Sequence, residues 1–189
     1  MSSPVFIISG TPGSGKSSVS VALLQHFEFG LHIPMDDLRE WVVSGTAHPV
    51  PEMTPESNRQ FALARQSAAQ LANIYARTGF AVVIDDVIDP DNAETLIERV
   101  LSPLPVYKVL LRPKLQEALK RNAERTHKAF DTSVLINVIE RIYNEQNIEA
   151  YQIKNWLIMD SSHLTVDETV KGILLHFNLK GQLMRLPPD

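Results

Sequence analysis

The chain has no cysteine, and this absence closes several routes at once. There can be no disulfide, no thiolate-bound metal and no cysteine nucleophile. Long hydrophobic runs are also missing, since no apolar stretch approaches the roughly 20 residues a membrane-spanning helix needs. The opening "MSSPVFIISG" carries no basic segment, and its apolar run is too short for a secretory signal. Positive charge is in short supply as well. With 18 basic against 22 acidic side chains the net charge is −4, so nothing draws the chain generally toward nucleic acid or an anionic membrane. A cytoplasmic protein is the expectation.

Other chemistries are missing by pattern rather than by composition. The histidines at 26, 32, 48, 127, 163 and 176 are scattered, with no H-E-x-x-H or comparable metal-ligand spacing. No G-x-S-x-G elbow marks a serine hydrolase. The Asn-Lys-x-Asp element that reads guanine in GTPase switches does not occur either.

What is present is enough for one packed domain over residues 1–189: 44% of the residues are hydrophobic and 21% charged. Short β-branched runs alternate with longer helical patterns. The strand candidates are Val5–Ser9, Gly30–Pro34, Ala81–Asp85, Val106–Leu111 and Trp156–Asp160. Each is almost continuously apolar, as befits a strand covered on both faces. Thr54-Pro55 and Asp89-Pro90 read as N-caps followed by proline at the first helical position, and Thr165 to Glu168 as a capping box. Strand–helix alternation predicts an α/β fold with a five-stranded parallel sheet between two helical layers. Between the second and third strands lie about 45 residues, more than a crossover needs. We expect an insert at about 38–78 there, and a lid at about 120–131.

The strongest local signal is Gly10-Thr11-Pro12-Gly13-Ser14-Gly15-Lys16-Ser17, with Ser18 following, directly behind the first strand. It satisfies G-x-x-x-x-G-K-[ST], and each fixed position has a physical reason. Glycines let successive amides turn inward as an anion nest, and the next helix aims its positive end at the same point. Lys16 brings a mobile charge to the β- and γ-phosphates, and the Ser17 hydroxyl suits Mg²⁺. ATP and Mg²⁺ are therefore the expected cofactors.

Two aspartate pairs end the second and third strands, where ligands of open parallel sheets sit. Asp36, in "MDDLRE", can take a proton from an attacking hydroxyl, or can simply cap the short helix that follows. Asp85 and Asp86, in "VVIDD", stand where a carboxylate serves the metal; side chains alternate along a strand, so only one of the two can do so. Arg121 and Arg125 share a helix face in "RNAER", with Lys128 beyond. They could neutralise a transferring phosphoryl group, or form a solvated face paired with Glu117 and Glu124.

Taken in this order, "GTPGSGKSS", "MDDLR", "VVIDD" and "RNAER" resemble the P-loop kinases of the polynucleotide kinase, zeta-toxin and chloramphenicol phosphotransferase group, over roughly Pro4 to Asp160. The resemblance implies a P-loop NTPase fold with Asp36 as general base and Arg39 on the substrate. In the bacteriophage-type polynucleotide kinase the second motif begins with a basic residue. Met35 stands at that place here, which weakens the nucleic-acid reading. Around the base, Trp41, Val42, Val43, Pro49, Val50, Pro51 and Met53 would form an apolar wall suited to an uncharged hydroxyl compound, or would simply pack the insert against the sheet. Arg59 and Arg65 could meet an anionic acceptor, but an exposed helix face is the expected place for both. The expected activity is thus transfer of the γ-phosphoryl group to a small-molecule hydroxyl of the antibiotic, sugar or sugar-nucleotide class. Polynucleotide 5′-hydroxyl kinase is the alternative, and a nucleotide-binding switch without an acceptor a further one. Oligomeric state is not encoded in any motif.

Overall fold

The computed structural model describes residues 3–49, 52–124 and 135–179. Its centre is a five-stranded sheet in the order β2-β3-β1-β4-β5, with every pairing parallel. The strands are β1 (Val5–Ser9), β2 (Gly30–Pro34), β3 (Ala81–Asp85), β4 (Val106–Leu111) and β5 (Leu157–Met159). Four match their expected bounds; β5 is shorter, with Trp156 and Asp160 just outside it.

Alternation along the strands divides the core into two faces. Val5, Ile7, Val82, Ile84 and Leu110 point to one side, and Phe6, Ile8, Val83, Val109 and Leu111 to the other. The first side is covered by α3 (Pro55–Arg77), whose Ala64, Ala68, Ala69, Ala72 and Ala76 form a small-residue stripe against the sheet. The other is covered by α1 (Lys16–Leu24) and α9 (Val166–His176), through Val19, Leu23, Val170, Ile173 and Leu174. β1 and β3 are buried along their whole length, and this is why they read as almost unbroken apolar runs.

The remaining elements are α2 (Met35–Glu40), α4 (Pro90–Ala93), a π-helical stretch Glu94–Glu98 running into α5 (Arg99–Leu101), α6 (Leu115–Ala123), α7 (Ile136–Glu145) and α8 (Ile148–Ile153). The expected caps form. The Thr54 side chain accepts from the Ser57 amide, Asp89 accepts from the amides of Asp91 and Asn92, and Thr165 and Glu168 close a reciprocal box. Among the described residues no helix is long and apolar enough to cross a membrane.

The strand order brings the site together. β1 lies between β3 and β4, and β3 lies between β1 and β2. The carboxyl ends of β1, β3 and β2, each followed by a motif of the sequence, therefore stand side by side on one edge.

Candidate active site

The loop Gly10–Gly15 joins β1 to α1. Gly13 has φ +83°, and a Cβ there would sit 2.1 Å from the Ala118 carbonyl oxygen, so α6 packs directly on the loop. Gly15, at φ +93°, is the N-cap of α1 and offers no side chain to the first amides. No acidic residue occupies that first turn either. The helix N-terminus is thus left with exposed donors and an uncompensated dipole, which is what an anion needs. Lys16 Nζ donates to the carbonyl oxygens of Gly10 and Thr11 at 3.0 and 3.3 Å, so the ammonium lies folded over the loop. Thr11 and Ser14 are buried, Pro12 is half-buried, and Ser17 and Ser18 are exposed on α1. The buried Ser14 hydroxyl makes no hydrogen bond among the described residues.

At the end of β3 the two adjacent carboxylates separate. The Ser17 hydroxyl donates to Asp85 Oδ2 at 2.7 Å, and His32 Nε2 lies 3.3 Å from the same oxygen. Asp85 is buried, and burial by itself pushes its carboxyl up. The His32 hydrogen bond, the Lys16 charge and the Ser17 hydroxyl outweigh that and hold it below the usual carboxylate range. Asp86 turns the other way. Its Oδ2 accepts from Arg65 Nε at 2.6 Å and its Oδ1 from the Val87 amide at 2.7 Å, while Arg65 Nη2 donates to the Val87 carbonyl at 3.0 Å.

That geometry corrects one expectation. Arg59 does sit on an exposed face, paired with Glu56, but Arg65 is only 12% exposed and clamps α3 to the end of β3. Helical periodicity alone places residue 65 near the Ala64–Ala68 stripe, a signal that could have revealed it. Removing one partner of a buried pair leaves the other charge desolvated. Arg65→Leu should therefore cost about 3–5 kcal/mol in a denaturant melt, and Arg65→Leu combined with Asp86→Leu should recover much of the loss.

Asp36 lies in the first turn of α2 with its side chain exposed. The helix begins at Met35, one residue earlier than a cap at Asp36 would require; Pro34 holds the N-cap position, and no side chain caps it. Asp36 therefore does not cap α2. One turn on, the Arg39 guanidinium stacks 3.9 Å above the Phe61 ring, and Arg65 approaches the same ring at 5.3 Å. Arg39 Nη2 donates to the Ala47 carbonyl at 3.0 Å, and its buried Nε has no partner among the described residues. Burial lowers the Arg39 pKa, and Asp36 and Asp86 draw it back. Gln60 secures the same loop, accepting from the Ala47 amide at 3.0 Å and donating to the Gly45 carbonyl at 2.7 Å. Phe61 and Gln60 belong to no sequence motif, and only the packing of α3 against this loop gives them a role. His32 likewise belongs to no motif, although a polar residue inside the apolar run "GLHIP" is a signal.

The expected apolar wall does not form as a closed surface. Trp41, Val43 and Met53 are 71, 97 and 42% exposed. The α2–α3 loop is held by polar bonds through Arg39 and Gln60 rather than by packing of these side chains. Val50 and Pro51 lie outside the described residues. Arg121 is also placed differently from its expected role at the transferring group. Its Nε donates to Glu117 at 2.8 Å and its Nη2 to the carbonyls of Ser161 and Ser162 at 2.9 and 3.2 Å, so it ties α6 to the β5–α9 loop. Two backbone acceptors and a carboxylate hold the guanidinium there. Arg125 and Lys128 lie outside the described residues.

Ser17 and Asp85 together offer hard oxygen donors, one of them ionised, beside an anion-binding loop; this donor set fits Mg²⁺ carried by phosphates. Among the described residues no cluster of three or more His, Asp or Glu side chains makes an all-protein metal cage.

Comparison with known proteins adds the following. The family model for chloramphenicol phosphotransferase-like proteins matches residues 3–178. No curated protein sequence matches the chain. Similar solved structures include the Deinococcus radiodurans tunicamycin resistance protein, at 19% identity and TM-score 0.64 over 93% of this chain and 95% of that one. A gluconokinase from Sinorhizobium meliloti 1021 aligns at 20% identity and TM-score 0.61, covering 95% and 97%. The APS kinase of Mycobacterium tuberculosis, in complex with AMPPNP and APS, aligns at 13% identity and TM-score 0.64, covering 94% and 98%. At these identities the structures speak to fold alone, and the fold is that of P-loop kinases.

Proposed function

Because the chain belongs to the chloramphenicol phosphotransferase-like protein family and is a P-loop kinase, we propose that it transfers the γ-phosphoryl group of ATP to a hydroxyl of a small molecule. The observation that carries this reading is the adjacency of three strand ends: the loop after β1, Asp85 at the end of β3 and Asp36 just past β2. A nucleotide switch needs the first two; only a kinase needs a carboxylate at the third. Residues 1–189 act in this reading as one kinase domain, with the acceptor held by the insert at about 38–78.

The backbone amides between Gly10 and Ser18, Pro12 excepted, would hold the β- and γ-phosphates together with Lys16. Mg²⁺ would be held through Ser17 and Asp85 and, when bound, would neutralise charge on the phosphate oxygens. Asp86 is committed to Arg65 and takes no part in this assignment. Asp36 accepts the acceptor's hydroxyl proton as its oxygen bonds to the γ-phosphorus; the bond from that phosphorus to the ADP oxygen breaks, and ADP leaves with the electron pair. Arg39, stacked on Phe61 one turn from Asp36, borders the acceptor. The exposed Trp41 and Met53 give it apolar contact.

Support for a small, weakly charged acceptor comes from the balance around Arg39. Asp36, Asp86 and Glu40 act on it against Arg65, so this region has no surplus of positive charge for a polynucleotide backbone. Met35, at the position basic in polynucleotide kinases, is buried in the core. The fold neighbours, a tunicamycin resistance protein and a gluconokinase, agree with the antibiotic and sugar classes.

The test is a mass-spectrometric search for a product 80 Da heavier than its acceptor (about one HPO₃ unit, the group transferred). The protein is incubated with Mg²⁺–ATP and separate pools of hydroxylated antibiotics, sugars, sugar nucleotides and 5′-hydroxyl oligonucleotides. Product from a small-molecule pool is expected. Product only from the oligonucleotides would replace the reading with the polynucleotide one, and nucleotide binding without any product would favour a switch.

A further inference from the structure

We infer that His32 is a positioning residue for the metal-binding carboxylate, holding Asp85 in the orientation in which it meets a nucleotide-bound divalent cation. This rests on the kinase reading above and on Asp85 as the carboxylate that serves the metal.

The placement follows from strand register. His32 pairs with Val83 and Pro34 with Asp85, so the imidazole lies on the strand next to β3, below the carboxylate's own level. The His32 side chain is 20% exposed and Asp85 only 5%, with Nε2 at 3.3 Å from Oδ2. An ionised carboxylate can only accept, so Nε2 carries the hydrogen and donates it. Ser17 donates to the same oxygen from α1 at 2.7 Å. One Asp85 oxygen is thereby anchored from two elements, β2 and α1, which fixes the plane of the group and the direction of Oδ1.

The two anchors are not equivalent. Ser17 is itself a candidate ligand, so its hydroxyl has to serve the cation as well as Asp85. His32 has no such second duty and remains as a dedicated donor. Carboxylates at metal sites are themselves commonly held by such outer hydrogen bonds, and losing one typically costs about 10- to 100-fold in metal affinity. An apolar side chain at 32 would complete the apolar run of β2 but would leave the buried Asp85 carboxylate one donor short. The histidine therefore calls for a reason outside packing.

The experiment measures metal and nucleotide separately. Mn²⁺ binding in the presence of ADP is followed by electron paramagnetic resonance, and ADP binding in EDTA by calorimetry, for wild type, His32→Leu, His32→Gln and Asp85→Asn. We expect His32→Leu to weaken Mn²⁺ binding by about 10- to 100-fold with ADP affinity in EDTA unchanged. Gln keeps a donor near the same reach, so His32→Gln should recover part of the loss. Asp85→Asn should lose Mn²⁺ binding outright. If His32→Leu binds Mn²⁺ like wild type while Asp85→Asn does not, the inference about His32 is wrong and the metal assignment survives. If Asp85→Asn also binds normally, the metal assignment falls and the inference with it. Equal losses of Mn²⁺ and metal-free ADP binding in both His32 variants would make the residue merely structural.

Discussion

Lys16→Ala is expected to lower kcat/KM by about 10³-fold or more, the scale seen when a cation is withdrawn from a transferring phosphoryl group. Nucleotide affinity should fall with it, because Lys16 is the cationic side chain at the mouth of the anion nest. In the structure its ammonium rests on the Gly10 and Thr11 carbonyls, bonds of a kind that a phosphate can replace with a stronger charge-assisted one. Its loss should leave the fold intact, since the loop's own shape depends on Gly13 packing against Ala118 and on the Ser14 amide bonding to the Thr11 carbonyl. The measurement pairs steady-state kinetics with calorimetric titration of ATP, and a thermal melt as the control for folding. Lys16→Arg retains charge but replaces a compact point charge by a broad planar fork. It should regain binding more than turnover. A Lys16→Ala protein that turned over at the wild-type rate would remove the loop from the chemistry.

Asp36→Asn should reduce transfer by about 10²- to 10⁴-fold, the usual contribution of a positioned general base. The effect should fall on kcat, with ATP affinity close to wild type. Asparagine keeps the size and much of the hydrogen bonding of aspartate but cannot accept the hydroxyl proton. Asp37→Asn is the companion variant: its carboxylate is adjacent in α2 and also exposed, so a purely electrostatic contribution from this helix turn would show in both. We expect the Asp37 variant to stay within a few-fold of wild type. Equal losses in the two would mean that the turn acts by its charge and no proton is taken by Asp36. Retained turnover in Asp36→Asn would falsify the base assignment directly.

Much of this molecule is legible in its sequence, and the legible parts share a cause. Strands, caps and the phosphate loop depend on interactions within a few residues: an apolar run, Thr54 ahead of Pro55, a glycine where φ must be positive. β1 and β3 fall on their expected bounds because burial along their whole length leaves an unbroken apolar signature, and β2 and β4 keep theirs although His32 and Lys108 interrupt the run. The end of the second strand was less legible. Asp36 looks like a cap in sequence, yet the helix starts at Met35, whose side chain is 2% exposed and docks in the core. Burial of that methionine draws residue 35 into the first turn, a long-range effect with no local mark.

The sequence by itself determined the parallel sheet, the anion nest and the presence of two carboxylate pairs at strand ends. It also determined that Asp85 and Asp86 must diverge, because side chains of consecutive strand residues point to opposite faces. Which of them turns toward Ser17 was decided only by the tertiary structure. Asp85 lies opposite Ile8 in β1 and Pro34 in β2, and α1 and α3 cover different faces of β3, so one aspartate meets Ser17 and the other meets Arg65. The same holds for His32, for Arg65 and for Arg121, whose partners stand 53, 21 and 40 residues away in the chain. Local periodicity reports the face on which a residue lies, whereas the charge or hydroxyl waiting on that face is set by strand order and helix packing.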